Sequence, residues 1–262
     1  MRVHNGDTIN DPAGGMTTAS RATFLSGNAT LKASEGLRAI LWAEVSNEFG
    51  VPVSDLEIQS GIFINCKSLK KLISLKELAS GQQKFDFIFT YDAPKTQPPQ
   101  KHSESYPSEL PNAPLHFAYD FGVQAALVAA NPNTGKVRII KLIAAHDVGS
   151  VLILRNVIGQ LEGAAIQGMG YALSEEFIVK DGIPQTNHLK DLGLLRFKEI
   201  PEIVPIPIEN YHPKGPFGAK GMGELAISPT APAIAIAIHN ALGIWVNSLP
   251  ITPDKILAAL QK

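Results

Sequence analysis

Cysteine is almost absent from this chain of 262 residues, which contains only Cys66. A single thiol forms no internal disulfide, and it supplies neither a site with several cysteine ligands nor the four thiolates of an iron–sulfur cluster. A positively charged segment followed by an apolar run, which would predict a secretory leader, is also missing from the start of the sequence. These absences together favour a cytoplasmic location.

Charge of one sign and long apolar runs are scarce as well. The 23 Lys and Arg residues are balanced by 24 Asp and Glu residues, and without a long block of either sign nucleic-acid binding is not expected. The most apolar run, residues 231–238, is far shorter than the ~18 to 20 residues that a membrane-spanning helix requires. No membrane span is therefore predicted.

The composition is that of a globular protein, with 45% hydrophobic and 18% charged residues. Periodicity and turn residues predict a single α+β domain over residues 1–262, with a proline-rich loop at about 93–114. Helices are predicted at residues 31–49, 74–81, 156–177, 228–242 and from 252 onward, and strands at residues 56–65, 85–89, 116–130, 136–145 and 203–208. The strands on either side of residues 131–135 are predicted to form a hairpin.

Hydroxyl-bearing residues and glycines precede the first long helix, in residues 14–29. The unpaired amides and the dipole at a helix start favour an anionic ligand. The plainer alternative is a Ser/Thr-rich loop that caps the helix without a ligand, and this segment taken alone favours that alternative.

Two further segments combine glycine with polar side chains. His146 and Asp147 precede a glycine-rich helical segment with Gln160, whose side chain can hydrogen-bond a planar heterocycle. The loop of residues 215–224 ends at Glu224, a candidate general base. Taken singly, His146 is more often a histidine satisfied by a neighbour, and Glu224 a solvated residue in a first helical turn.

Three common motifs are missing. Lys220 is followed by Gly221 rather than by Ser or Thr, which excludes a phosphate-binding loop of the Gly-x-x-x-x-Gly-Lys-Ser/Thr type. The Gly-x-Ser-x-Gly elbow of serine hydrolases does not occur, and no Gly-x-Gly-x-x-Gly turn follows a predicted strand. Nucleotide binding and serine-based hydrolysis therefore lack support.

Four motifs occur in order along the chain. They are Thr18-Ala-Ser-Arg-x-Thr23 with Gly27-Asn-Ala29, Ala145-His-Asp-Val-Gly149, Gly159-Gln-Leu-Glu-Gly163 with Gln167-Gly-x-Gly170, and Gly215-Pro-Phe-Gly-Ala-Lys-Gly-Met-Gly-Glu224. In this order they resemble the C-terminal part of the molybdenum-binding subunit of the xanthine dehydrogenase/aldehyde oxidoreductase family. The resemblance covers about residues 6–260 and implies an α+β fold, the second cofactor-binding domain of such subunits, with mixed sheets and packed helices.

The resemblance also implies an activity. A molybdopterin-type molybdenum cofactor would do the redox work, and Glu224 would be the general base of a hydroxylation that takes its oxygen from water. Xanthine-type purines, other N-heterocycles and aldehydes are the implied substrates, and no side chain is implied as a metal ligand. The implied cofactor-binding residues are Thr18, Ala19, Ser20, Arg21, Thr23, Gly159, Gln160, Lys220 and Gly221.

Partner chains are implied because the preceding half of such a subunit is missing from this sequence. They are the remaining half of the molybdenum subunit, an iron–sulfur subunit and, as an optional component, a flavin subunit with FAD. A natural split subunit and a fragment of a longer protein both fit. The competing hypothesis is a non-catalytic remnant or assembly partner of such a complex, and a phosphate-ester-binding module is a third.

Overall fold

The computed structural model describes residues 3–4, 6–81, 83–96 and 116–261. The chain divides into two compact units, one of Met1–Phe24 with Lys95–Lys262 and one of Leu25–Pro94. This differs from the single domain that the sequence predicts, because the second segment builds a sheet and a buried core of its own. Most of the predicted proline-rich loop lies outside the described residues.

The smaller unit contains most of a long helix, a three-stranded antiparallel sheet and a short helix. The elements are α1 (Ala22–Phe49), β1 (Leu56–Gln59), β2 (Ile62–Asn65), β3 (Lys70–Ser74) and α2 (Leu75–Ser80). Val45 of α1 and Phe63 of β2 are fully buried in its core. The spacing Ser74-Leu-Lys-Glu77 predicts a capping box. The structure confirms it, since Ser74 and Glu77 each bind the other's backbone amide at the start of α2.

Helix α1 begins at Ala22, not at residue 31 as the periodicity predicts. The low helix propensity of residues 26–28, Ser-Gly-Asn, hides its first turns from a pattern-based prediction. Phe24 is 1% exposed in the larger unit, where its ring packs against Phe117 at a centroid distance of 4.7 Å. Tertiary packing therefore outweighs local propensity at this helix start.

The predicted strand at residues 85–89 does not form, and the described segment 83–96 contains neither helix nor strand. Its phenylalanines serve packing instead. Phe85 joins the core of the smaller unit, and the ring of Phe87 lies so close to Gly36 of α1 that a Cβ there would clash with it. Alternating aromatic residues here mark contacts with other elements of this unit rather than strand pairing.

The described residues of the larger unit form a three-stranded sheet, a short two-stranded hairpin and three α-helices that lie entirely within it. Its elements are β4 (Gly122–Ala130), β5 (Val137–Asp147), α3 (Leu154–Leu173), β6 (Val179–Lys180), β7 (Ile183–Pro184), β8 (Glu202–Ile208), α4 (Thr230–Leu242) and α5 (Pro253–Leu260). The predicted hairpin is confirmed as the antiparallel pair β4 and β5, whereas β8 runs parallel to β5. The carboxyl ends of β5 and β8 therefore meet at one edge, where Asp147 lies opposite Ile208.

Helices α3, α4 and α5 pack around a core that includes Leu142 of β5 and Ile256 of α5. Close approach explains Gly168 in α3, because a Cβ there would stand 2.5 Å from the side chain of Thr230 on α4. It does not explain Gly159 or Gly163, since among the described residues no heavy atom beyond the adjoining helix backbone lies within 4 Å of a Cβ at either position.

The pair Ser228-Pro229 predicts an N-cap and a first helical residue, and Gly243 predicts the end of that helix. Helix α4 starts at Thr230, one residue later than the pair predicts; Pro229 is its N-cap, and no side chain caps the helix. Gly243 ends the helix in the left-handed conformation, as predicted. Thr252 caps α5 by accepting a hydrogen bond from the amide of Lys255, which confirms the predicted start of the last helix.

Residues Leu225–Leu242 form one segment that is long and apolar enough to cross a membrane, with a mean hydropathy of 1.4. The run at residues 231–238, from which no span was predicted, is only part of this segment. By length and composition the whole segment meets the requirement that the shorter run does not. Ile234 and Ile238 of this segment are nonetheless buried in the core of the larger unit, as in a core helix.

Candidate functional site

A cavity of about 490 Å³ opens in the larger unit. The segment before α1, the residues after β5, the first two turns of α3 and the glycine-rich loop before α4 surround it. Eight of the ten predicted site residues line the cavity: Thr18, Ser20, Arg21, Thr23, Gln160, Lys220, Gly221 and Glu224. Ala19 and Gly159 do not.

The hydroxyl-rich segment reaches the cavity because its backbone turns sharply before α1. Ala19 and Ser20 have φ values of 52° and 50°, a conformation that is uncommon outside glycine. Arg21 secures the turn by donating from Nε and Nη2 to the carbonyl oxygen of Met16, at 3.2 and 2.9 Å. Hydroxyls and the first amides of a long helix thus border the cavity, a donor set that suits an anion.

Glu224 is held by Ser20, which lies 204 residues earlier in the chain. The Ser20 hydroxyl accepts a hydrogen bond from the backbone amide of Glu224 at 2.9 Å and donates one to its Oε2 at 3.3 Å. A Cβ at Gly221 would overlap the carbonyl oxygen of Ser20, so this approach requires glycine. The Glu224 side chain is exposed and precedes the 3-10 turn Leu225–Ile227 rather than the predicted helix.

Gln160 joins α3 to the same loop. Its amide nitrogen Nε2 donates to the carbonyl oxygen of Gly223 at 2.6 Å. Two residues predicted from separate motifs, Gln160 and Glu224, are therefore brought to one loop, while the neighbouring Gly159 stays exposed and away from the cavity.

Lys220 lines the cavity, but its ammonium group binds a carboxylate inside the protein. Nζ lies 2.7 Å from Oδ2 of Asp147 and donates to the carbonyl oxygen of Tyr119 at 2.8 Å. Burial works against the charge of Asp147, but hydrogen bonds from Lys220, from the Gly149 amide and from Asn210 hold its pKa below the ordinary value. The prediction of Lys220 as a cofactor ligand did not foresee this ion pair.

His146 is fully buried, and the plainer interpretation of a histidine satisfied by a neighbour holds for Nε2, one of its two ring nitrogens. Gln124 on β4 places its amide nitrogen 3.1 Å from Nε2 of His146 and 2.6 Å from the carbonyl oxygen of Ala226. Because an amide nitrogen only donates, Nε2 accepts in this contact and the ring proton lies on Nδ1, which is buried without a hydrogen-bond partner among the described residues. Burial lowers the pKa of His146, which favours this neutral form.

Asp120, just before β4, is a feature that the sequence interpretation missed. Burial raises the pKa of this carboxyl to about 6, with Lys220 opposing the shift and Asp147 adding to it. Its Oδ1 is buried and has no hydrogen-bond partner within the described part of the chain. Asp120 belongs to none of the four motifs, so no sequence signal distinguished it from other acids.

Replacing Asp120 with asparagine should reduce the pH dependence of stability. The folded protein keeps the proton on Asp120 up to a pH of about 6, whereas an unfolded aspartate releases it near about 3.9. The stabilisation is therefore complete below the unfolded pKa and is lost as pH rises through the folded one. Asp120→Asn stays neutral throughout, so its free energy of unfolding should fall less between about pH 4.5 and 7 than that of the wild type.

Urea unfolding across this pH range measures the effect. Asp191→Asn, at an exposed position of the same unit, is the matched control and should keep the wild-type dependence. An Asp120→Asn protein with that same dependence would contradict the prediction.

Residues 1–201 match the family model of the molybdopterin cofactor-binding domain. This chain belongs to the molybdenum hydroxylase family. The resemblance inferred from four motifs is thereby confirmed, as is the presence of a domain for the molybdenum cofactor.

Curated relatives match over nearly the whole chain. The probable hypoxanthine oxidase of Escherichia coli K12 is 31% identical over 265 residues, which are 100% of this chain and 26% of the relative. The gamma subunit of the 6-hydroxypseudooxynicotine dehydrogenase complex of Paenarthrobacter nicotinovorans is 33% identical over 99% of this chain and 32% of the relative. The chain thus spans less than a third of either relative.

Solved structures share the fold. The reconstituted CO dehydrogenase from Oligotropha carboxidovorans gives a TM-score of 0.79 at 21% identity, over 98% of this chain and 31% of that chain. Quinoline 2-oxidoreductase from Pseudomonas putida 86 gives a TM-score of 0.74 at 23% identity, over 94% of this chain and 31% of that chain. The predicted α+β class, a molybdenum-cofactor-binding domain of mixed sheets and packed helices, is confirmed.

Proposed function

We propose that this chain is the cofactor-binding part of a molybdenum hydroxylase that acts on xanthine-type purines, other N-heterocycles or aldehydes, with water as the oxygen source. The observation that carries the proposal is the convergence of Ser20, Gln160 and Glu224 from three distant segments on one cavity. A carboxylate beside a wall of hydroxyl and amide donors supplies both a base and an anion-binding surface.

The donor set of the cavity fits a molybdopterin-type cofactor. The hydroxyls of Thr18, Ser20 and Thr23, with the first amides of α1, suit a phosphate group, and the amide of Gln160 suits the polar edge of a pterin. We assign the cofactor to these residues together with Arg21 and Gly221. Within this proposal Ala19 shapes the turn and Lys220 anchors the loop, while Gly159 lies apart from the cavity.

The chain's own residues would then perform the proton chemistry. When bound, the cofactor supplies the two-electron redox chemistry of the hydroxylation. Glu224 acts as the general base, which accepts a proton from the water-derived nucleophile at its carboxylate. Ser20 orients Oε2 of that carboxylate, and Gln160 holds the carbonyl of Gly223, the residue just before the base.

Purines are the favoured substrate class within this proposal. The support comes from two relatives, the probable hypoxanthine oxidase of Escherichia coli and a probable xanthine dehydrogenase subunit of Bacillus subtilis. The latter is 30% identical over 98% of this chain and 33% of the relative. The aldehyde oxidoreductase of Megalodesulfovibrio gigas matches only 55% of this chain.

Partner chains complete the proposed enzyme, which we place in the cytoplasm. The remaining half of the molybdenum subunit would complete the site, an iron–sulfur subunit would receive electrons, and a flavin subunit with FAD is an optional further acceptor. The lone Cys66 supports this arrangement, because it cannot hold an iron–sulfur cluster. The large part of each relative that lies outside the match also supports this arrangement.

Elemental analysis of the assembled complex tests the proposal. The tagged full chain is purified under mild conditions from its native host, and the co-purifying chains are identified by mass. Molybdenum, iron and pterin should arrive together with larger subunits. A complex with those subunits but without molybdenum and pterin would favour the competing hypothesis, a non-catalytic remnant or assembly partner. Binding of simple phosphate esters by the chain alone would favour the third hypothesis, a phosphate-ester-binding module.

A further inference from the structure

The motif of residues 145–149 has no part in the proposed proton chemistry, yet it contacts the loop that carries Glu224. Gly149 and Ala219 form an isolated antiparallel β-bridge. Gly149 has a φ of +67°, and a Cβ there would stand 2.5 Å from the carbonyl oxygen of Gly218. The backbone after β5 is therefore packed directly on the first residues of the base-bearing loop, which we define as residues 218–224.

A buried ion pair ties the two segments together next to this bridge. Asp147 and Lys220 are joined at 2.7 Å, with side chains 8% and 4% exposed. Asp147 is fully engaged, since Oδ1 accepts from the Gly149 amide at 3.0 Å and Oδ2 also accepts from Asn210 at 3.1 Å. Lys220 is equally constrained by the carbonyl oxygen of Tyr119. Both charges are thus held in one geometry.

The ion pair lies where the loop needs an anchor. Gly221 and Gly223 follow Lys220 closely, and glycine permits many backbone conformations. Glu224 is exposed, and its carboxylate contacts Ser20 through one hydrogen bond of 3.3 Å. The backbone near Glu224 is also held by Ser20 and Gln160, and the ion pair adds a second anchor at the other end of the loop.

Stability alone is a weak reason for such a pair. Burying two charges costs desolvation that their attraction only partly recovers, and apolar replacements of buried pairs are often neutral. Removing one partner, in contrast, leaves an uncompensated buried charge. The charge of Lys220 also acts on Asp120 and His212. Its Nζ hydrogen-bonds Asp147 and the Tyr119 carbonyl oxygen and lies 5.9 Å from the centroid of the Phe121 ring.

We propose that Asp147 is a positioning residue, which acts through Lys220 to fix the base-bearing loop so that Glu224 lies against Ser20. The role of Glu224 as base rests on the proposed function, whereas the anchoring rests on the contacts described above. Asp147 touches neither cofactor nor substrate in this scheme and acts through the loop alone.

Amide hydrogen exchange and steady-state kinetics of the assembled complex test the proposal. In Asp147→Asn, amides of the base-bearing loop should exchange about tenfold faster, while those of α5 keep wild-type rates, because local opening involves only the loop. The kcat should fall about 100-fold with KM nearly unchanged, since small misplacement of a reacting group has effects of that size. Lys220→Met should behave in the same way.

The double variant Asp147→Asn/Lys220→Met separates positioning from stability. It leaves neither member of the Asp147–Lys220 pair as an uncompensated charge, so its melting temperature should return towards the wild-type value while kcat stays low and loop exchange stays fast. It also provides the exchange measurement if a single variant fails to fold. Lys141→Met is the control, because it breaks an exposed ion pair of 2.9 Å with Glu202 in the same sheet. It should change neither kcat nor the exchange rate of the loop amides.

Wild-type loop exchange in Asp147→Asn would overturn the proposal. So would a double variant that regains both melting temperature and kcat, because the pair would then be purely structural. A wild-type complex without molybdenum would refute the proposed function, and in that case faster loop exchange in Asp147→Asn would still support the anchoring.

Discussion

Replacing Glu224 with glutamine should reduce turnover of the assembled enzyme by about two to four orders of magnitude, the usual contribution of a general base. An amide cannot accept the proton that the carboxylate takes. Glutamine nevertheless keeps the size of the side chain and an oxygen that can accept from the Ser20 hydroxyl, and the backbone hydrogen bond from residue 224 to Ser20 is untouched. Molybdenum and pterin content should therefore stay at the wild-type level.

Kinetics and elemental analysis on the same preparation check this expectation. The loss should fall on kcat and on kcat/KM together, as expected for an interaction made in the transition state. Glu162→Gln is the matched control, because this glutamate lies on α3 of the same unit and does not line the cavity. Near-normal turnover of Glu224→Gln would remove Glu224 from its role as base.

Replacing Gly221 with alanine should lower both cofactor content and stability. The added Cβ would overlap the carbonyl oxygen of Ser20, a backbone atom that no rotamer change can move. The hydroxyl segment and the base-bearing loop must then separate, which breaks the contacts between Ser20 and Glu224. Backbone shifts forced by overpacking cost about 1–3 kcal/mol, and most of the bound molybdenum should be lost.

Urea unfolding and molybdenum content of the complex measure these two effects. Gly163→Ala in α3 is the control, because no described residue outside the adjoining turns of α3 comes within 4 Å of a Cβ there. This substitution should raise the free energy of unfolding by about 0.5–1 kcal/mol, since alanine is more favourable than glycine in a helix interior. If Gly221→Ala matched Gly163→Ala in stability and kept its molybdenum, the close approach of the two segments would be refuted.

Local signals in the sequence predicted much of the fold. The β4 and β5 hairpin was predictable because both strands adjoin their turn, and the capping box at Ser74 because its partners are three residues apart. The parallel pairing of β8 with β5 was not predictable in this way. The two strands are separated by more than fifty residues, and no local pattern encodes that contact.

The predicted strand at residues 85–89 failed for a related reason. Alternating phenylalanines are typical of a strand, but a strand also requires a neighbour to pair with. Here Phe87 packs against Gly36 instead, a contact that only the folded smaller unit creates. The division into two units was not predicted on similar grounds, because the separate sheet and core of residues 25–94 arise from contacts in the folded chain.

The motifs identified the candidate site residues one by one, and eight of the ten line one cavity. The residue types did not reveal which group each side chain binds in the folded protein. Lys220 has the same ammonium group whether it binds a ligand or an internal carboxylate, and only its burial against Asp147 distinguishes the two. Asp120 likewise resembles any other acid until burial raises its pKa.

By itself, the sequence determined the family, the hairpin, the capped short helices and Glu224 as the candidate base. These depend on residue types at short, fixed spacings, which a linear pattern records. Tertiary structure alone decided that Ser20 meets Glu224 across 204 residues and that Lys220 of the base-bearing loop pairs with the buried Asp147. Contacts and burial between distant segments exist only in the folded chain, because they depend on how helices and strands pack rather than on neighbouring residues.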